Sequence, residues 1–120
     1  MTAGGSAVVE TLFPGAPHEM MSVYYMDGDH LVMTHYCDSG NQPKLMLSDG
    51  TTPTELKFEF ASGTNVDPGK GMHIHGATIR PLERDVLEEE WAGWHDGKPA
   101  HVMKFHLARS APSGAAAGPR

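Results

Sequence analysis

The chain has 120 residues, with 9 lysines and arginines against 15 aspartates and glutamates and a formal net charge of −6. That length fits one domain with one hydrophobic core, and a composition 39% apolar and 20% charged belongs to a folding chain rather than a disordered one. An acidic chain without a basic stripe is a poor partner for nucleic acid or an anionic membrane surface, which excludes both as expected partners.

The lone cysteine, Cys37, excludes an internal disulfide framework and a multi-thiolate zinc site. No run of about 18 apolar residues is present, and residues 1–10 lack the basic and apolar parts of a secretory signal, so the expected location is cytoplasmic. Residues 7–13, AVVETLF, are rich in β formers and end at a PGAP turn. Strands over 18–26 and 29–37 flank Asp27-Gly28, the dipeptide of a type I′ hairpin, whose central residues both need positive φ. A two-residue loop there sets Met26 opposite Asp29. One face then carries Met20, Ser22 and Tyr24 with Leu31, Met33, His35 and Cys37, and the other carries Met21, Val23 and Tyr25 with His30, Val32, Thr34 and Tyr36. Neither face is plainly polar, which is the pattern of a sheet that wraps a lined cavity or is covered on both sides.

After the DSGNQP turn, residues 44–47 form a short strand, and residues 54–60 alternate most cleanly, with Leu56, Phe58 and Phe60 opposite Glu55, Lys57 and Glu59. Residues 62–71, SGTNVDPGKG, read as a long polar loop and the expected mobile segment. Residues 71–80 read as a strand with His73, His75, Ala77 and Ile79 on one face. Residues 85–95 have helix-forming composition, but Asp96-Gly97 follows them and leads into another alternating run, 98–107, so both are assigned as strands of a hairpin. That register pairs Glu89 with Lys104 on the outer face and sets Val86, Glu88, Glu90, Ala92 and Trp94 on the opposite face with His101, Met103, Phe105 and Leu107. Carboxylates are an odd lining for a core and mark a functional interior; the alternative is a register off by one, with Glu88 and Glu90 pointing to water. Trp91 and Trp94 fall on opposite faces, so one of them is inside. The expected architecture is a single all-β domain over residues 1–109, with residues 110–120 a disordered tail. Within it, about eight strands follow in an antiparallel up-and-down meander, closed into a barrel or left as an open sheet.

The runs SAVVETLFPGAPHEMMSVYYMDGDHLVMTHYCDSGNQP and LEEEWAGWHDGKPAHVMKFHLAR resemble stretches of uncharacterised bacterial proteins with calycin-like β-barrels. The wider calycin group includes fatty-acid-binding proteins, lipocalins and haem-binding nitrobindins, so the resemblance implies a ligand-binding barrel. Calycins usually begin with a Gly-x-Trp strand that closes the barrel floor. None precedes Thr2 here, so the chain is expected to be a fragment or a shortened form, open at its N-terminal edge. An open first strand is a template for pairing with a second copy, hence an expected homodimer.

His73 and His75, two apart on a strand, have the spacing of two metal ligands, with a third available from His101, Glu90 or His35; the same histidines equally suit the wall of a polar cavity. Cys37, two residues from His35, lacks any visible means of activation and reads as a buried inert thiol. The leading expectation is a binding module without catalytic residues. Its small apolar or amphipathic ligand contacts Tyr24, Met33, His35, His73, His75, Glu90 and His101. The alternatives are a haem- or metal-dependent enzyme and a ligand-free dimerising domain, and the sequence leaves the cofactor unknown.

Overall fold

The structure, a computed structural model, describes residues 1–108; the expected tail over 110–120 lies outside the described residues. Eight strands follow one another: β1 (Ala7–Leu12), β2 (Met20–Asp27), β3 (His30–Tyr36), β4 (Gln42–Leu47), β5 (Leu56–Thr64), β6 (Met72–Glu83), β7 (Val86–His95) and β8 (Lys98–Ala108). Each pairs antiparallel with the next, in the order β1-β2-β3-β4-β5-β6-β7-β8. The sheet curls into an open half-barrel. A seam separates β1 from β8, crossed by the rings of Phe13 and Phe105, whose centroids lie 5.5 Å apart. Among the described residues the only helical piece is a 3-10 turn at Ala3–Gly5, and no helix is long and apolar enough to cross a membrane.

Alternation along the strands builds the core on the concave face. Met33, Leu45, Phe58, Ala77 and Trp91 are buried there, with Tyr24, Leu56, Phe60 and Met103 packed against them. Burying a side chain of this size stabilises a fold by about 1.5–3 kcal/mol, so this row is the main source of cohesion. Cys37 is buried, as expected of an inert thiol.

Both Asp-Gly hairpins form, but only one has the expected loop. Asp96 and Gly97 both have positive φ, 51° and 80°, as a type I′ turn requires. In the first hairpin Asp27 pairs with His30 and the loop is Gly28-Asp29, with positive φ at Gly28 alone. A glycine at the first central position is the pattern of a type II′ turn. The register thus moves by two residues from the expected one: Tyr24 faces Met33 and Ser22 faces His35. A two-residue shift keeps every side chain on its face, so the face assignment for β2 and β3 stands.

Elsewhere single extra residues overturn the expected faces. In β7 and β8, Trp94 pairs with Pro99 but Gly93 pairs with His101, leaving Ala100 as a bulge. Beyond it Glu90, not Glu89, faces Lys104, and Glu89 faces Phe105. The concave face therefore holds Glu89 and Trp91, while Glu88, Glu90 and Trp94 lie on the other side. In β6, Ile74 pairs with Gly93 and Gly76 with Ala92, so His75 is the extra residue and His73 pairs with Trp94. Ile74, Ala77 and Ile79 enter the core without the two histidines. The expected loop over 62–71 is also shorter, because β5 runs on to Thr64, pairing with β4 past a bulge.

Candidate functional site

Register and curl together bring a row of polar groups onto the concave face. Glu10 pairs with Ser22, and Ser22 with His35, so β1, β2 and β3 present all three side by side. Across the half-barrel stand Glu89 and Trp91 of β7. Ser22 and His35 are buried and joined by a 2.9 Å hydrogen bond between Ser22 Oγ and His35 Nδ1. The Tyr24 hydroxyl donates to Glu10 Oε1 at 3.0 Å, and Trp91 Nε1 donates to Glu89 Oε1 at 3.0 Å. The His35 and Trp91 rings pack with centroids 4.9 Å apart.

Two atoms of this row, His35 Nε2 and Glu89 Oε2, are buried and meet no hydrogen-bond partner among the described residues. Glu89 is fully buried and feels the Glu10 carboxyl across the half-barrel. Burial, reinforced by Glu10, pushes Glu89 up to about 8. Burial pushes His35 down to about 4, so its imidazole is neutral. The Tyr24 phenol is driven well above its ordinary value, first by burial and then by the charges of Glu10 and Glu89. At the edge of the sheet an open pocket of about 150 Å³ is lined by Val8, Tyr24, Tyr25, Met26 and Leu31 together with residues 5–7, drawing on both faces of β2.

A second cluster lies where β5 and β6 part. The His75 ring is stacked on Trp94, centroids 3.6 Å apart, and on Phe60 at 5.2 Å. His73 Nε2 and His75 Nδ1 are hydrogen-bonded at 2.9 Å, and burial lowers the pKa of both. An open groove of about 360 Å³ runs past Glu59, Phe60, His75, Gly76, Ala92 and Trp94. Nearby Asn41 is buried, and its side-chain amide donates to Met72 O at 2.7 Å.

The seven sequence-predicted residues thus divide. Tyr24, Met33 and His35 share the concave face; His73 and His75 belong to the aromatic cluster. Glu90 lies outside, accepting from Arg80 at 3.2 Å in a network that also holds Glu55 and Glu88. His101 is exposed, its ring lying over Gly93. No group of three His, Cys, Asp or Glu side chains is placed to hold a metal ion among the described residues. The sequence reasoning missed Glu10, Ser22, Glu89 and Trp91 as members of the concave row. Ser22 was on the correct face and Trp91 was one of two candidates for the interior, but Glu10 becomes visible only when β1 is carried round to β7. Comparison with protein families, with curated proteins and with solved structures finds no match to this chain.

Proposed function

We propose that the protein is a non-enzymatic binding module that takes up a small amphipathic molecule against the concave face of the half-barrel. The observation that carries this reading is the pair of buried, unpartnered polar atoms, His35 Nε2 and Glu89 Oε2, both beside Trp91 on the concave face. Each such atom costs about 1–3 kcal/mol unless something satisfies it, and a ligand's polar group is suited to do so. The open seam between β1 and β8 gives access, and the curled meander is consistent with the calycin-like barrels the sequence resembles.

Native mass spectrometry of freshly purified protein, with an absorbance spectrum of the same sample, tests the reading. Expected is a bound organic mass that is lost in His35→Phe. A bare mass, together with no response of Trp91 fluorescence in a Trp94→Phe background to amphiphiles of any charge, refutes it. A second reading, a homodimer, is favoured by the outer edge of β1, which beyond the Thr2–Ala7 bridge pairs with no other strand among the described residues and where Val8 and Val9 are exposed. It requires a sedimentation coefficient that rises with protein concentration, and a constant monomer value rejects it.

A further inference from the structure

The two apolar faces of β2 and β3, plain in their sequences, are only half explained by the core. Tyr24 and Met33 turn to the concave side, so Val23, Tyr25, Val32 and Thr34 alternate onto the convex side. Pairing gathers these into one strip: Val9 faces Val23, Met21 faces Thr11 and Tyr36, and Val32 faces Tyr25 and Met46. Val32 is already fully buried on this side of the sheet, the start of a second apolar layer outside the core.

Three features make the strip a surface that can be dried cheaply. Large side chains stand open on it, with Val9 at 41%, Met21 at 40% and Tyr36 at 47% of full exposure. Its inner hydroxyls, those of Tyr25 and Thr34, are bonded to each other at 3.0 Å and need no water. The convex positions of β1, Ala7, Val9 and Thr11, carry no charge, and neither do those named above from β2 and β3. The charges at its border, Asp27 and Lys44, are paired with each other at 3.7 Å. Beyond β4 the convex face changes character, with Lys57 and Glu59 on β5, Arg80 on β6, Glu88 and Glu90 on β7 and Lys104 on β8.

The occupant that fits the strip is a second copy of this chain. Each copy carries a net charge of −6, so two can approach closely only over a surface that contributes none of it. A two-fold axis through the strip sets the valine, methionine and tyrosine side chains of one copy against the same side chains of the other, as an isologous contact requires. A lipid surface is a poorer match, because residues 1–47 hold a single lysine, Lys44, and no arginine. Four strands about 4.8 Å apart and about 20 Å long give a footprint of about 400 Å² per copy, and pleated side chains present more area than their footprint. A pair therefore covers on the order of 1,000 Å², where specific but weak association begins.

The homodimer reading is the foundation here. Upon it we propose that two copies join back to back through the convex strip of β1, β2 and β3, sheet on sheet about 10 Å apart, rather than strand to strand along the edge of β1. The concave faces, with His35 and Glu89, then point away from each other and both stay open.

Sedimentation equilibrium of the full chain from about 1 to about 500 µM tests the assignment, and a dissociation constant of about 10–100 µM is expected. Met21→Lys and Tyr36→Lys change exposed side chains and are each expected to weaken the dimer at least about tenfold, with the urea midpoint of the monomer unchanged. Tyr36→Ser gives the same readout if a lysine variant does not fold. Val102→Lys alters an equally apolar side chain, 56% exposed on β8 and off the strip, and is expected to leave the dimer intact. Tyr36 lies two strands in from the edge of β1, so a dimer paired along that edge tolerates its replacement. A dimer that neither Met21→Lys nor Tyr36→Lys weakens overturns the convex strip and leaves the homodimer standing. A constant monomer mass over the whole range overturns both, and flotation of that monomer with neutral phosphatidylcholine vesicles would assign the strip to a lipid surface instead.

Discussion

Between about pH 6.5 and pH 8 the fold is expected to weaken as the solution becomes more alkaline, and Glu89 is the cause. Its carboxyl is pushed from an ordinary 4.5 up to about 8, so over that interval the folded chain holds a proton that the unfolded chain releases. Each pH unit in which the two states differ by one proton is worth about 1.4 kcal/mol, here lost as pH rises. His35 acts in the opposite sense, since burial lowers it from 6.5 to about 4 and stability grows as pH rises between those values. Below about pH 6.5 this opposes the Glu89 slope, together with His73 and His75, which burial also lowers. From about pH 6.5 to about pH 8 Glu89 acts alone, a span that gives a ceiling of about 2 kcal/mol. Partial dielectric screening of the carboxyl reduces this to about 1 kcal/mol. Urea unfolding followed by far-UV circular dichroism at the two ends of that interval is the assay. With a slope near 1–2 kcal/mol per molar, the midpoint is expected to fall by roughly 0.5–1 M. Glu89→Gln carries no titrating group and should show no such fall. A wild-type midpoint that holds steady or rises, or an equal fall in Glu89→Gln, would falsify the proton assignment.

Four further variants test the packing and the outer ion pairs. Trp91→Ala removes the largest fully buried side chain and is expected to cost about 3–5 kcal/mol, read as a large drop in the urea midpoint. Gly63→Ala places a Cβ 3.0 Å from Gln42 O and 3.1 Å from Pro43 Cα, backbone atoms that cannot swing aside, and should cost about 1–3 kcal/mol. Gly93→Ala meets only the exposed His101 ring, which can rotate away, so its thermal midpoint should drop by less than that of Gly63→Ala. Arg80→Met unlinks Glu55, Glu88 and Glu90 on the outer face and is expected to lower the thermal midpoint more in low salt than in high salt. A loss independent of salt would assign Arg80 a packing role instead.

Strand existence was legible because alternation and Asp-Gly turns are local signals, and all eight expected strands form. The concave face of β2 and β3 was legible too, since the hairpin loop moved by an even number of residues. The faces of β6 and β7 were not. Bulges at His75 and Ala100 are odd insertions that no local composition marks, and each turns the remainder of its strand over. That is why the expected register set Glu90 inside and Glu89 outside, whereas His101 keeps the face of Met103 and Phe105 and is simply exposed there. Glu10 was hidden for a different reason. Its partner Glu89 is far away in sequence, and their meeting depends on the accumulated curl of the whole sheet.

Both bulges sit beside Gly93, one on each neighbouring strand, and they impose a kind of reading frame on the sheet. His75 and Ala100 are the extra residues of their strands, so loss of either closes its bulge and leaves the flanking pairs in place: Ile74 still faces Gly93, Gly76 still faces Ala92, and His101 and Pro99 keep Gly93 and Trp94. Deletion of one residue inside the regularly paired run from Ala77 to Arg80 instead carries one flank out of phase with the core. The bulges are thus the positions at which β6 and β8 can each lose a residue and keep their faces.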